Sequence, residues 1–125
     1  MSQFHLLKVN EIIRETDDSV SVSFDVPFNL KDDFKFIPGQ YLTLKINISG
    51  EDCRRSYSIC SSFKEPLTVA VKKVFNGKMS SYINDTLKIG DSIEVMPPQG
   101  NFTLNISSLA SRKFVGFAAG SGITP

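Results

Sequence analysis

The chain has few of the residue types that form metal centres. Its 125 residues include two cysteines, Cys53 and Cys60, and a single histidine, His5. Two thiols are too few for an iron–sulfur cluster held by cysteines, and without a Cys-x-x-Cys pair they form no zinc site with one histidine. We therefore predict no metal site and two reduced thiols, and we expect Cys60 to pack in the core.

Long apolar runs and a strong excess of charge are also absent. No run approaches the ~20 apolar residues that span a bilayer, and the N-terminus lacks the basic start, apolar core and cleavage site of a secretory signal. The formal net charge is +1 and 41% of the residues are hydrophobic, values typical of a globular domain with no general attraction to nucleic acids or membranes. We predict a cytoplasmic protein without a nucleic-acid or membrane partner.

Short runs of alternating apolar and polar residues predict β-strands along most of the chain. The apolar positions of these runs are Val20, Val22, Phe24, Val26, Leu42, Leu44, Ile46, Ile48, Leu67, Val69, Val71, Ile93, Val95, Phe102 and Leu104. A period of two over many short runs predicts a closed or sandwiched antiparallel sheet. In one segment Met79, Ile83 and Leu87 recur at helical spacing instead, which predicts a single short helix that ends near Gly90.

Residues 55–61 have the chemistry of a nucleotide site. Alternate residues of a strand share a face, so Arg55 and Tyr57 would point one way and Ser58 the other. A guanidinium binds phosphate through its rigid fork of donors, an aromatic ring stacks on a flat heterocycle, and a hydroxyl can bond to heteroatoms at the edge of that heterocycle. The alternative is an ordinary half-exposed strand, with Arg55 solvated and Tyr57 packed on a neighbour.

The start of the predicted helix, Gly77-Lys78-Met79-Ser80-Ser81, is a second candidate anion site. Free backbone N–H groups and the helix dipole favour anions at a helix N-terminus. The absence of a side chain at Gly77 would let a phosphate approach the backbone. The alternative is a helix that only plugs one end of a barrel, with Asn76 or Gly77 as its cap.

Residues 113–125 differ from the preceding pattern. An apolar run, residues 113–119, leads into Gly120-x-Gly122, which is typical of the start of a parallel dinucleotide-binding unit. Such a unit needs a helix and further strands, and none follow. We therefore expect a domain over residues 1–112 and the truncated start of a nucleotide-binding domain over residues 113–125, both cut from a larger enzyme.

Several short motifs together resemble the ferredoxin–NADP reductase superfamily of flavoproteins. In chain order they are Pro38-Gly39-Gln40-Tyr41, Arg55-x-Tyr57-Ser58-x-x-Ser61, Gly77-Lys78-Met79-Ser80, Gly90-Asp91 with Pro98, Gly100 and Phe102, and Gly120-x-Gly122-x-Thr124-Pro125. The resemblance spans nearly the whole chain. It implies an all-β fold, an antiparallel Greek-key barrel of about six strands with one short helix, that binds FAD.

The same resemblance implies roles for individual residues. Arg55 would bind the FAD pyrophosphate, Tyr57 would stack on the isoalloxazine ring, and Ser58 would hydrogen-bond near flavin N5, so Tyr57 and Ser58 are the implied catalytic residues. The strand after them would contribute backbone contacts to the flavin. The implied cofactor-binding residues are Arg55, Tyr57, Ser58, Val71, Lys72, Val74, Gly77, Lys78, Met79, Ser80 and Thr124.

Within the superfamily, the chain resembles most closely the reductase components of phenylacetyl-CoA epoxidases, through residues 1–12, 54–62, 95–102 and 118–125. This implies an NAD(P)H-dependent oxidoreductase in which electrons pass from NAD(P)H through FAD to a [2Fe–2S] centre and then to an oxygenase component. The NAD(P)H site and the cluster would belong to domains that follow this sequence in a longer parent. Two alternatives stay open: the FAD domain of another reductase, such as a flavohaemoglobin or a different oxygenase reductase, and a non-catalytic β-barrel binding module.

Overall fold

Six strands and one α-helix form the part of the chain that the computed structural model describes, residues 3–62 and 64–100. In chain order the elements are β1 (His5–Thr16), β2 (Ser19–Asp25), β3 (Tyr41–Ile48), β4 (Glu51–Ser58), β5 (Leu67–Lys72), α1 (Lys78–Asp85) and β6 (Ser92–Val95), with a short 3₁₀ turn at Phe28–Leu30 between β2 and β3. All strand pairs are antiparallel. The predicted all-β, antiparallel fold with one short helix is confirmed.

The strands form one sheet in the order β4-β3-β6-β1-β2-β5. Two hairpins, β1-β2 and β3-β4, are joined side by side because β6 inserts between β1 and β3. The two outer strands also meet: Ile59, just after β4, forms a bridge with Val69 of β5, and the Cys60 amide donates to the Thr68 carbonyl at 2.9 Å. The sheet therefore closes into a barrel along a seam between β4 and β5.

The barrel interior is filled by the apolar positions that alternate along the strands, since alternate side chains point to the same face. The buried hydrophobic residues are Leu7, Val9, Val20, Val22, Phe24, Phe34, Leu42, Leu44, Ile46, Cys53, Ile59, Leu67, Val69, Val71, Met79, Ile83, Ile93 and Val95. Both cysteines are free thiols, but Cys53 is buried and Cys60 is exposed. The prediction that Cys60 packs in the core is wrong, because Cys60 alternates with the buried residues Cys53 and Ile59 and so points to the other side of the chain.

Helix α1 lies across one end of the barrel, where it packs against β5, β4 and β3. Met79 and Ile83 are each 1% exposed and complete the core at that end. Helix α1 therefore plugs this end of the barrel, which is one of the two alternatives left open by the sequence, and of Asn76 and Gly77 it is Gly77 that is the N-cap residue. These contacts involve the buried face of α1. Lys78, in the first turn, is on the exposed side and contacts Glu51 of β4.

Several sequence predictions fall outside the described residues. These include residues 113–125, the boundary at residue 112, and Thr124. No helix of the described residues is long and apolar enough to cross a membrane.

Candidate functional site

The candidate site lies at the seam between β4 and β5. The two strands meet at the Ile59–Val69 bridge, and α1 contacts both of them. The predicted residues Arg55, Tyr57 and Ser58 lie on the β4 side. The residues between β5 and α1 and the first turn of α1 lie on the other side, so the fold brings the two predicted motifs to one seam.

Arg55 and Tyr57 share a face of β4, as predicted. In the ladder with β3, Arg55 is opposite Leu44 and Tyr57 is opposite Leu42, and directly opposed residues lie on the same side of a sheet. Leu42 and Leu44 are buried, yet Arg55 is exposed and Tyr57 is half-buried. The inward face of β4 is therefore open to solvent around Arg55, as expected at an open seam.

The Tyr57 ring packs against the hydrophobic core. Burial raises the pKa of its phenol above the ordinary value of 10.0, and the nearby positive charge of Arg55 acts in the opposite direction. Tyr57 is thus a neutral, partly covered ring beside a cation.

Ser58 differs from its neighbour Ser56 in the use of its hydroxyl. The Ser56 hydroxyl is hydrogen-bonded to the Thr43 hydroxyl at 2.9 Å. The Ser58 side chain is half-buried, and among residues 3–62 and 64–100 its hydroxyl has no hydrogen-bond partner. Of the two hydroxyls, that of Ser58 is therefore the one available to a ligand. Ser58 lies opposite Tyr41, on the other face of β4 from Tyr57, but it is the last residue of the strand, so a ligand at the strand end can reach both side chains.

The first turn of α1 has no side-chain cap among the described residues. The Ser80 hydroxyl instead accepts a hydrogen bond from the Val74 amide at 3.0 Å and donates to the Gly77 carbonyl at 3.4 Å. The Gly77 amide donates to the Val74 carbonyl at 2.8 Å. The Ser80 hydroxyl therefore maintains the turn, and the groups of this terminus that could bind an anion are its backbone N–H groups and Lys78.

Gly77 is required by the tight packing of this turn. An added Cβ atom would lie against the Ser80 hydroxyl oxygen and 2.9 Å from the Val74 carbonyl oxygen. The Gly77 φ of −77° is accessible to any residue, so the requirement is steric. The structure gives this glycine a packing role that the sequence pattern did not indicate.

The remaining predicted residues of the strand–helix connection differ in how they face the seam. The side chains of Val71 and Met79 are each 1% exposed, so only their backbone groups can reach a ligand. The Val71 carbonyl accepts a hydrogen bond from the Asn84 side-chain amide at 3.2 Å. Lys72 and Val74 have exposed side chains.

Glu51 is a charged neighbour of the site that sequence reasoning missed. Its Oε2 atom lies 2.9 Å from Lys78 Nζ. The Lys78 ammonium lowers the pKa of this carboxyl, by hydrogen bonding and by its charge, and Arg55 lowers it further. Glu51 therefore lies within electrostatic range of Lys78 and Arg55, the two cations predicted to bind an anion. Its ion pair with Lys78 joins residues that are 27 positions apart in the sequence.

Asn84 was also missed, and it attaches α1 to the barrel. This buried side chain donates from Nδ2 to the Val71 carbonyl at 3.2 Å and to the Ser80 carbonyl at 2.9 Å. It accepts from Arg14 Nη1 at 3.0 Å, and its backbone carbonyl accepts from Arg14 Nη2 at 2.6 Å. No spacing rule in the sequence joins Arg14 to Asn84, which lie 70 residues apart.

Groups that could hold a metal are absent from the part of the chain that the structure describes: no three His, Cys, Asp or Glu residues gather there.

Comparison with known proteins places the chain in a family. The model of the oxidoreductase FAD-binding domain family matches residues 6–104. The chain is 42% identical over 126 residues to one of the subunits of 1,2-phenylacetyl-CoA epoxidase from Escherichia coli K12, covering 100% of this chain and 35% of that protein. It is 39% identical over 126 residues to the ferredoxin reductase component of 3-ketosteroid-9-alpha-monooxygenase from Rhodococcus rhodochrous, covering 96% of this chain and 34% of that protein.

Solved structures agree on the fold. The ferredoxin NADP⁺ reductase of Neisseria gonorrhoeae, solved with bound FAD and NADP, superposes with a TM-score of 0.69 at 19% identity, covering 81% of this chain and 40% of that one. The chain spans about a third of the length of the two curated relatives above.

Proposed function

The chain belongs to the oxidoreductase FAD-binding domain family, and we propose that it binds FAD at the seam between β4 and β5 as the flavin domain of an electron-transfer reductase. One observation carries this proposal. Arg55 and Tyr57 share the open face of β4, and the uncapped first turn of α1 with Lys78 lies across the seam from them. Membership of this family disfavours the alternative of a non-catalytic barrel.

The residues present fit the diphosphate of FAD. Arg55 would present its fork of donors to phosphate oxygens, and the backbone N–H groups at the start of α1 would donate from the other side of the seam. Lys78 would add a second positive charge. Gly77 and Ser80 would maintain the turn that holds these donors in place.

The flavin ring would lie at the C-terminal end of β4, beside Tyr57 and Ser58. Tyr57 would pack one face of the ring and exclude water from it, since its own ring is already partly buried against the core. Ser58, with a hydroxyl free of partners among the described residues, would donate a hydrogen bond at flavin N5. Lys72 would contribute backbone groups along the opposite side. The Val74 amide and carbonyl are used within the turn before α1, and the Val71 carbonyl accepts from Asn84, so these two residues would support the site by shaping it.

When bound, FAD would accept hydride from NAD(P)H and pass single electrons to an iron–sulfur centre. The residues of this chain orient the flavin and set its electrostatic surroundings. We further propose that the whole protein carries an NAD(P)H-binding domain and a [2Fe–2S] domain and reduces an oxygenase component in the cytoplasm, where free thiols such as Cys53 and Cys60 persist. Homology to proteins of oxygenase systems supports this placement.

The test compares two adjacent arginines that face opposite sides of β4. Arg54 lies over the Phe4 ring at 5.1 Å, away from the seam, and serves as the control. We expect Arg55→Ala to weaken FAD binding about tenfold to a hundredfold, because a charged hydrogen bond contributes roughly 1.5–3 kcal/mol, and Arg54→Ala to leave it nearly unchanged. FAD titration monitored by flavin fluorescence measures both, and equal affinities for the two variants would refute the role of Arg55.

A further inference from the structure

The Glu51 carboxylate contacts Lys78, one of the cations that we propose to bind the diphosphate of FAD. Glu51 is the first residue of β4, and its Oε2 atom is 2.9 Å from Lys78 Nζ at the start of α1. Arg55 acts on the same carboxylate by its charge. Lys78 therefore already faces a negative group of the protein itself, whereas the Arg55 guanidinium donates to the Arg54 carbonyl at 2.6 Å.

The other ion pairs of α1 and the barrel lie elsewhere. Lys73 pairs with Asp85 at 2.6 Å, near the end of α1, and Lys45 pairs with Glu94 at 3.2 Å on β3 and β6. Within residues 3–62 and 64–100, Glu51 is thus the acidic residue that forms an ion pair with the first turn of α1. Its side chain is 70% exposed, so it can turn into solvent without disturbing the core.

We propose that Glu51 sets the affinity of the site: in the cofactor-free protein its carboxylate occupies the anion position beside Lys78, and the diphosphate of the cofactor displaces it on binding. This inference rests on the proposed function. Carboxylate and phosphate oxygens accept hydrogen bonds from the same cationic donors, so the two compete directly. The competition weakens any ligand that binds through its phosphates and does not affect a flavin without phosphate.

Displacement is feasible because the Glu51–Lys78 pair is exposed. Exposed ion pairs contribute little to stability, and salt screens them. Removal of the carboxylate charge should therefore strengthen phosphate binding by about twofold to fivefold, the range that corresponds to one exposed pair.

The experiment uses Glu51→Gln, Glu51→Ala and a matched control, Asp52→Asn. Asp52 is the next residue along β4, and its carboxylate accepts from the Asn47 amide at 3.1 Å, so the control removes the same charge from the opposite face. Dissociation constants are measured for FAD, for ADP, which carries the diphosphate without the flavin, and for riboflavin, which carries the flavin without phosphate. We expect both Glu51 variants to bind FAD and ADP about twofold to fivefold more tightly, with riboflavin binding unchanged, and Asp52→Asn to resemble the wild type.

Each contrary result identifies what fails. Unchanged FAD and ADP affinity in the Glu51 variants would overturn the competition, and weaker affinity would show instead that Glu51 orients Lys78 for binding. A tighter complex with riboflavin would also overturn it, because riboflavin has no phosphate to compete. A wild-type chain that binds neither FAD nor riboflavin would refute the proposed function itself and the present inference with it. Since the two Glu51 variants must shift affinity in the same direction, the test survives if one of them fails to fold.

Discussion

Asn84→Ala tests the attachment of α1 to the barrel, on which the geometry of the site depends. The Asn84 side chain is 7% exposed and makes three hydrogen bonds that alanine would lose. Two are donated to the Val71 and Ser80 carbonyls at 3.2 and 2.9 Å, and one is accepted from the Arg14 guanidinium at 3.0 Å. The bond from Arg14 Nη2 to the Asn84 backbone carbonyl would remain.

The expected loss of stability follows from these contacts. A neutral hydrogen bond contributes about 1 kcal/mol net, and one with a charged partner about 1.5–3 kcal/mol. The Val71 carbonyl would also lose a buried donor. Since neighbouring contributions are not additive, we expect the free energy of unfolding to fall by about 2–4 kcal/mol.

Urea denaturation monitored by circular dichroism measures this change. With an m-value of roughly 2 kcal/mol/M, the midpoint should fall by about 1–2 M. Asn10→Ala is the control, because Asn10 is an exposed asparagine on β1 and its replacement should change stability by less than about 0.5 kcal/mol. If the midpoints of the two variants agree, the Asn84 contacts do not stabilise α1 on the barrel, and the reasoning is refuted.

Two further predictions concern the seam. Gly77→Ala should destabilise the protein by about 1–3 kcal/mol in thermal denaturation, because its Cβ atom has no space beside Ser80 and the Val74 carbonyl. An unaffected variant would contradict the packing role of Gly77. Burial raises the pKa of Tyr57 above 10.0, so the folded protein holds this proton more tightly than the unfolded chain, and stability should fall as the pH rises past about 10. Urea midpoints at about pH 9 and about pH 11 should show a smaller fall in Tyr57→Phe than in the wild type, and equal slopes would contradict the shift.

The barrel could be predicted from the sequence because the apolar alternation that indicates each strand is contained within a few neighbouring residues. Alternation at Val20, Val22 and Phe24, and again at Leu42 and Leu44, depends only on the period of two along a strand. The alternation of side chains along residues 55–58 likewise predicts that Arg55 and Tyr57 share a face, without reference to a partner strand. Where a residue's surroundings follow from its own strand, the prediction held.

The errors and omissions have a different physical origin. The sequence predicts Cys60 in the core because cysteine is an apolar residue. Its position, an odd number of residues from Tyr57, instead directs its side chain to the opposite face. Glu51 reaches Lys78 across 27 residues and Arg14 reaches Asn84 across 70. Such contacts depend on how strand ends and helix meet in three dimensions, which no local periodicity encodes.

The most direct test of the account is whether the purified chain binds FAD. Residues 1–125 are mixed with excess FAD, separated from free cofactor by size exclusion, and examined by visible absorption and flavin fluorescence. The account predicts that flavin absorption elutes with the protein and that flavin fluorescence changes on binding to the Tyr57 side of the seam. Elution of all FAD apart from a folded chain, with the spectrum of free cofactor, would contradict it.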